Sequence, residues 1–185
     1  MNIQNAIQEG RQVLKYHKCK TPLLDSEILM SKVIHKDKNF IILNPNTIIE
    51  KNDLDVFKKL IKKRSAGQPI SYLTGTKSFW KNDFEVNSNT LIPRPDTEII
   101  IEEALKVTKN KSKLRVLDIG VGSGCILLSI LNERKNFYGI GIDISKMCTD
   151  LSKKNSFKLN LDKRAKFFKS NVDNFNYGKY DLIIS

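Results

Sequence analysis

Cysteine and histidine are scarce in this chain. Its 185 residues include only Cys19, Cys125 and Cys148, widely separated and odd in number, with His17 and His35 as the sole imidazoles. No Cys-x-x-Cys pair occurs, so neither a disulfide framework nor a zinc site is expected, and no metal ligands are assigned. Long hydrophobic runs are also missing. No apolar stretch approaches the roughly 20 residues of a membrane helix, and the opening "MNIQNAIQEG" lacks the apolar region of a signal peptide. The expectation is a cytoplasmic protein with no membrane partner. Arginine is sparse as well, 6 residues against 26 lysines in a chain of net charge +12. Such a charge invites a nucleic-acid reading, because cations neutralise phosphate and release counterions. Arginine, however, is the residue suited to bidentate phosphate and base contacts. Lysine accompanied by abundant Asn and Ile is what AT-rich codons supply, so a solvated Lys-rich surface is expected, with no direct nucleic-acid partner.

What the chain does have is a 40% hydrophobic fraction, enough for a core in one medium domain or two small ones. The first part reads as helical. "TPLLDSEILMSKVI" places Thr21 as N-cap and Pro22 at the first helical position. "NDLDVFKKLIKKRSAG" spaces Leu54, Phe57 and Ile61 on one face, with Asn52 or Asp53 as cap and Gly67 as the stop. From Gln68 to Pro95 the pattern changes to short β-prone pieces, "FEV" and "TLI" among them, separated by Asn87, Ser88 and Asn89, and reads as a hairpin or linker. Beyond Pro95, helical and strand patterns alternate. "RVLDIG", "FYGIGIDIS", "AKFFKS" and "YDLIIS" read as strands, with helical stretches before the first and between the first three. This α/β alternation predicts a parallel, doubly wound sheet with helices on both faces, of which the chain holds the first half.

The chemistry concentrates in "LDIGVGSGCI". A strand ending at Asp118 runs into Gly120, Gly122 and Gly124, and a helix follows at once. Ligands bind at that carboxyl edge of an open α/β sheet, where glycine lets backbone approach them and the helix N-terminus offers free N–H groups. Asp143, 19 residues after Gly124, ends the next strand, placed to accept hydrogen bonds from both hydroxyls of a ribose. A dinucleotide fingerprint beginning at Gly120 or Gly122 would need glycine where Cys125 or Leu127 stands, and no Gly-Lys-Ser/Thr ending of a phosphate loop occurs. Asp118-x-Gly120-x-Gly122-x-Gly124 instead resembles the first motif of class I S-adenosylmethionine-dependent methyltransferases.

With "GQPISYLTGTKSFW", "FEVNSNTLIPRPDTE", "VLDIGVGSGCI" and "GIDIS" in that order, the chain resembles the release factor glutamine methyltransferases, the HemK or PrmC family, over essentially its whole length. "LIPRPDTE" is the most diagnostic stretch. The resemblance implies a small α-helical N-terminal domain for substrate recognition over residues 1–72 and a β-hairpin linker over 73–93. A class I, Rossmann-like methyltransferase domain over 94–185 would follow, truncated after its fourth strand. It implies S-adenosyl-L-methionine as cofactor and class 1 peptide chain release factors as partners, methylated on the glutamine amide of a Gly-Gly-Gln loop by a monomeric enzyme. Carried over by position, Asp118, Ile119, Gly120, Val121 and Gly122 match the cofactor loop and Asp143 the ribose-binding acid. Asn171 would meet the adenine amino group and Val172 would lie beside the ring. "SNV" here departs from the family's usual Ser-Asp-Trp, and Asn171 has an alternative reading as a strand-end turn residue.

Other residues have readings that need no chemistry. Asp96 can cap the helix that follows and Glu98 can lie in its positive first turn, while Arg94 can orient the linker or the site edge. Cys125, at a helix N-terminus, can have a lowered pKa or simply pack. No catalytic residue is assigned, because the family's Asn-Pro-Pro-Tyr motif would follow Ser185. On that ground the 185 residues are expected to be inactive. Three rivals stand beside this reading. They are a ribosomal-protein glutamine methyltransferase, an adenine-N6 methyltransferase acting on nucleic acid, and a non-catalytic basic nucleic-acid-binding module.

Overall fold

Apolar stripes too short to fold alone close on one another in the first 75 residues. The computed structural model describes residues 1–185 and divides into two units, Met1–Gly75 and Thr76–Ser185. In the first unit, helix α1 (Ile3–Tyr16) starts where the Asn2 side chain accepts the Asn5 N–H, and it buries Ile3, Ala6, Ile7, Gly10 and Leu14. Helix α2 (Pro22–Ile34) begins at proline as expected, but Thr21 gives no backbone cap. Its hydroxyl instead donates to Asp25 at 2.9 Å. Helix α3 (Lys38–Leu43) is capped by Asp37, and α4 (Lys51–Ser65) and α5 (Ile70–Thr74) complete the bundle. The cap of α4 is Glu50 rather than Asn52 or Asp53, because the helix begins a turn earlier than its apolar stripe. Gly67 terminates it in the left-handed region at φ 93°.

Leu14, Leu29, Met30, Phe57 and Ile61 form the centre of this core. Gly10 lets α1 approach its neighbours at backbone distance: a Cβ there would lie 2.6 Å from Ser26 Oγ and 2.9 Å from Ile61 Cδ1. Beside it, Arg64 Nε donates to the buried Asp25 carboxylate at 2.7 Å.

The second unit opens with an antiparallel hairpin of β1 (Thr76–Phe79) and β2 (Asn82–Glu85). This corrects the expected strands: the turn is Trp80–Lys81, Trp80 has φ 53°, and Thr90–Ile92 forms no strand. Asn87 to Thr90 is instead a turn closed on Asn87, whose side chain accepts the Asn89 N–H. After a short 3-10 turn (Pro95–Thr97) come α6 (Glu98–Val107), β3 (Arg115–Ile119), α7 (Cys125–Glu133), β4 (Tyr138–Asp143), α8 (Lys146–Lys158), β5 (Ala165–Lys169) and β6 (Leu182–Ile184).

The four strands that follow the hairpin form one parallel sheet in the order β5-β4-β3-β6, with α7 and α8 as the crossovers that parallel neighbours require. On one face Val116, Ala165 and Ile184 pack with Ile101, Leu127, Leu128 and the hairpin's Phe79 and Phe84. The other face carries Leu117, Ile140 and Ile142 under Ile119, Phe168, Phe175 and Tyr180, and no helical residue belongs to that cluster. Helices on both faces were expected; here the second face is covered by an aromatic segment instead, with Phe175 and Tyr177 lying 5.9 and 5.4 Å from the Phe168 ring.

Candidate functional site

Register brings the two acidic strand ends together. Asp118 of β3 lies opposite Gly141 of β4, so the chain leaving β3 passes directly over the end of β4 at Asp143. The Gly120 and Val121 N–H groups both donate to Ile142 O at 2.9 Å, which fixes the start of the loop on the sheet edge. Gly120, Gly122 and Gly124 take φ values of 77°, 55° and 80°, conformations that a side chain would strain. A Cβ at Gly120 would meet nothing within 4 Å, and one at Gly122 only Gly120 O at 3.9 Å. The loop's outer side is therefore open to a ligand, whereas Gly124 packs against Leu128 and Ser152.

Asp143 binds the loop itself. One carboxylate oxygen accepts the Gly122 N–H at 3.0 Å and the other accepts the Ser145 N–H at 2.8 Å. Each oxygen keeps a lone pair, and the side chain is half-buried, so it can still accept bonds from a pair of vicinal hydroxyls. Asp118 lies deeper and is only 3% exposed. Burial pushes its carboxyl up to about 7, against the lowering effect of the Leu127 backbone N–H, and the nearby Asp143 charge adds to the rise. A carboxyl poised near neutrality at the start of a glycine loop suits a cationic ligand, whose charge would favour its ionised form. The residues present thus fit a nucleoside carrying a positively charged tail.

Asp118, Ile119, Gly120, Val121, Gly122 and Asp143 form one constellation. Asn171 and Val172 reach the same edge, since Ser170 N–H donates to Asp143 O at 2.9 Å. The Asn171 side-chain oxygen accepts the Asn174 N–H at 3.0 Å, closing a turn, and Val172 is exposed. Cys125 does not have a lowered pKa: burial pushes its thiol up to about 11, leaving it a packing residue. Asp96 makes no cap bond, and Glu98, the first residue of α6, accepts the Trp80 N–H at 2.7 Å and so anchors the hairpin turn. Arg94 is exposed.

Sequence reasoning missed Ser152 and Asn155, both fully buried on α8 directly behind the loop. Their signal was present as two polar residues three apart, on the same helix face as Cys148.

The family model of the PrmC N-terminal domain matches residues 5–75, and that of the methyltransferase small domain matches residues 96–185. Along its whole length the chain is 39% identical to a release factor glutamine methyltransferase of Buchnera aphidicola subsp. Baizongia pistaciae and 36% identical to one of Buchnera aphidicola subsp. Schizaphis graminum. Over 89% of its length it is 33% identical to one of Nitratidesulfovibrio vulgaris. The chain spans 66%, 66% and 56% of the lengths of these three relatives. With both domain types in order around the hairpin and relatives matched from end to end of the chain, the protein belongs to the release factor glutamine methyltransferase family.

Proposed function

We propose that this chain binds S-adenosyl-L-methionine at the loop from Asp118 to Gly122 and at Asp143, as part of an enzyme that methylates the glutamine amide of the Gly-Gly-Gln motif in class 1 release factors. The observation that carries the cofactor reading is the pairing of an open glycine loop with Asp143, whose two oxygens hold that loop and retain lone pairs for the ribose. S-adenosylmethionine supplies the electrophilic methyl group, bonded to a sulfonium. Asp118, buried at the start of the loop, would meet the ligand's cationic part. Asn171 and Val172 would flank the adenine, with the Asn171 amide group as the polar contact.

An amide nitrogen is a weak nucleophile because its lone pair is delocalised, so transfer depends on positioning and on acceptors for the amide hydrogens. No residue of 1–185 is assigned to that step. Residues 1–72 would recognise the release factor and 73–93 would link that domain to the cofactor domain, in line with the match of residues 5–75 to the PrmC N-terminal domain.

Isothermal titration of the chain with S-adenosylmethionine tests the assignment. The wild type should bind one equivalent, and Asp143→Ala should weaken binding more than about 100-fold, since it deletes charged acceptors for two hydroxyls and frees the loop. Near-wild-type affinity in a folded Asp143→Ala chain would remove the ribose assignment.

A further inference from the structure

The back of the glycine loop is held by two polar side chains without solvent exposure, Ser152 and Asn155 of α8. Ser152 Oγ donates to Gly122 O at 2.8 Å, and Asn155 Nδ2 donates to Ser123 O at 2.9 Å. In a trans peptide the carbonyl and the following N–H point in opposite directions. Tying Gly122 O to α8 therefore turns the Ser123 N–H away from the helix. The loop's orientation is thus set from behind, by groups that need not touch the ligand.

Asn155 does more than hold the loop. Its Oδ1 accepts the Glu85 N–H at 2.8 Å, and its Nδ2 also donates to Glu85 O at 3.0 Å. One amide group thus pairs with both backbone groups of the last residue of β2 and with the loop carbonyl, using its oxygen once and its nitrogen twice. The same helix reinforces the attachment through the Lys154–Glu85 ion pair at 2.6 Å and the Cys148 thiol, which donates to Asn89 O at 3.4 Å. From Glu85 the chain continues directly into the segment bearing Arg94.

We infer that Asn155 is a positioning residue that couples the β1–β2 hairpin to the cofactor loop, with Ser152 fixing the loop's other carbonyl, so that S-adenosylmethionine binding and hairpin order are linked. This rests on the proposed cofactor site. Linkage is reciprocal: if the ligand holds the loop in the geometry that pairs with Asn155, it must also hold Glu85.

The experiment uses the full 185-residue chain. S-adenosylmethionine affinity is measured by titration calorimetry for wild type, Asn155→Ala, Ser152→Ala and, as a control for general destabilisation, Phe137→Leu in the core. The temperature is one at which circular dichroism shows each protein folded. Amide hydrogen exchange at Glu85 is followed with and without S-adenosylmethionine. In the wild type the ligand should slow that exchange. Asn155→Ala should weaken binding about tenfold or more and Ser152→Ala severalfold, since each leaves a buried carbonyl without its donor. Phe137→Leu should lower the melting temperature without changing affinity, which a purely structural role for Asn155 would also do.

A wild-type chain that binds but shows unchanged Glu85 exchange overturns the coupling and leaves the cofactor site standing, and this arm decides the matter even if Asn155→Ala does not fold. Wild-type affinity in a folded Asn155→Ala chain overturns it as well. A wild-type chain that does not bind overturns the cofactor assignment and the coupling together.

Discussion

Asp118→Asn removes one ionisation from the floor of the candidate site while keeping the side chain's shape and its acceptor for the Leu127 N–H. The unfolded chain gives up this proton near 3.8 and the folded chain near about 7, chiefly because burial disfavours the charged form. Between those values the folded state retains a proton that the unfolded state has lost. Stability therefore falls as pH rises through the window and levels off above the folded value. At about 1.4 kcal/mol per pH unit the full gap amounts to about 4 kcal/mol, of which about 2 to 3 kcal/mol falls between pH 5 and pH 8. Other groups titrate over the same range, but they are shared by wild type and variant and cancel in the difference.

Urea unfolding, followed by the fluorescence of Trp80, the only tryptophan, should show Asp118→Asn gaining about 2 to 3 kcal/mol relative to wild type on going from pH 5 to pH 8. Any fixed cost of the new amide hydrogens is the same at both pH values and drops out. A difference between the two proteins that is constant across that range would refute the buried, late-titrating Asp118. The same ionisation should appear in binding. If a cationic ligand stabilises the carboxylate, the wild type releases a proton on binding near pH 7, seen as a dependence of calorimetric enthalpy on buffer, and Asp118→Asn does not.

The remaining predictions concern stability. Asp25→Ala leaves the part-buried Arg64 guanidinium without its carboxylate and should cost about 2 to 3 kcal/mol, read as a lowered thermal midpoint of the first unit. Gly10→Ala should destabilise the same unit by about 1 to 3 kcal/mol despite alanine's better helix propensity, because its Cβ would lie 2.6 Å from Ser26 Oγ; a stabilised variant in chemical denaturation would contradict the packing. Glu133 accepts hydrogen bonds from Lys81 and the Trp80 indole, which hold its carboxyl below the usual range. The support it gives the hairpin is thus present above the unfolded carboxylate value and lost as pH falls through the lower folded one. Trp80 emission should follow that titration, and Glu133→Gln should abolish the transition.

The glycine loop of the candidate site was legible in the sequence because its determinants are local. A strand, three glycines at alternate positions and a helix lie within Arg115 to Glu133, and the second acid ends the next strand. The four strands of the parallel sheet were legible for the same reason, each being a short apolar run. The observed hairpin lies within residues 73–93, but only "FEV" of the two β-prone pieces overlaps a strand, at Phe84 and Glu85; the strands are "TKSF" and "NDFE", set by Trp80 at positive φ and by the burial of Phe79 and Phe84. Helix α1 was not singled out, although Ile3, Ile7 and Leu14 recur on one face of it and the small Ala6 and Gly10 complete that stripe. Glu98 was read as a helix-dipole residue, and nothing within its own turn could reveal a partner 18 positions away at Trp80.

Asn155 is the strongest instance of this distinction. Its partners lie 32 and 70 residues away, so no window along the chain contains them. A side-chain amide in a helix interior ordinarily competes with the backbone and favours solvent or caps. A wholly buried one must find partners elsewhere or cost about 1 to 3 kcal/mol per unmet group. The inference therefore runs from the break in pattern. When Ser152, Asn155 and Ser156 replace apolar residues on the inner face of α8, each requires a fixed acceptor or donor, and the two nearest the sheet edge take theirs from the loop and the hairpin. The helix thereby reads the position of both, which an apolar face of equal volume could pack against but could not orient.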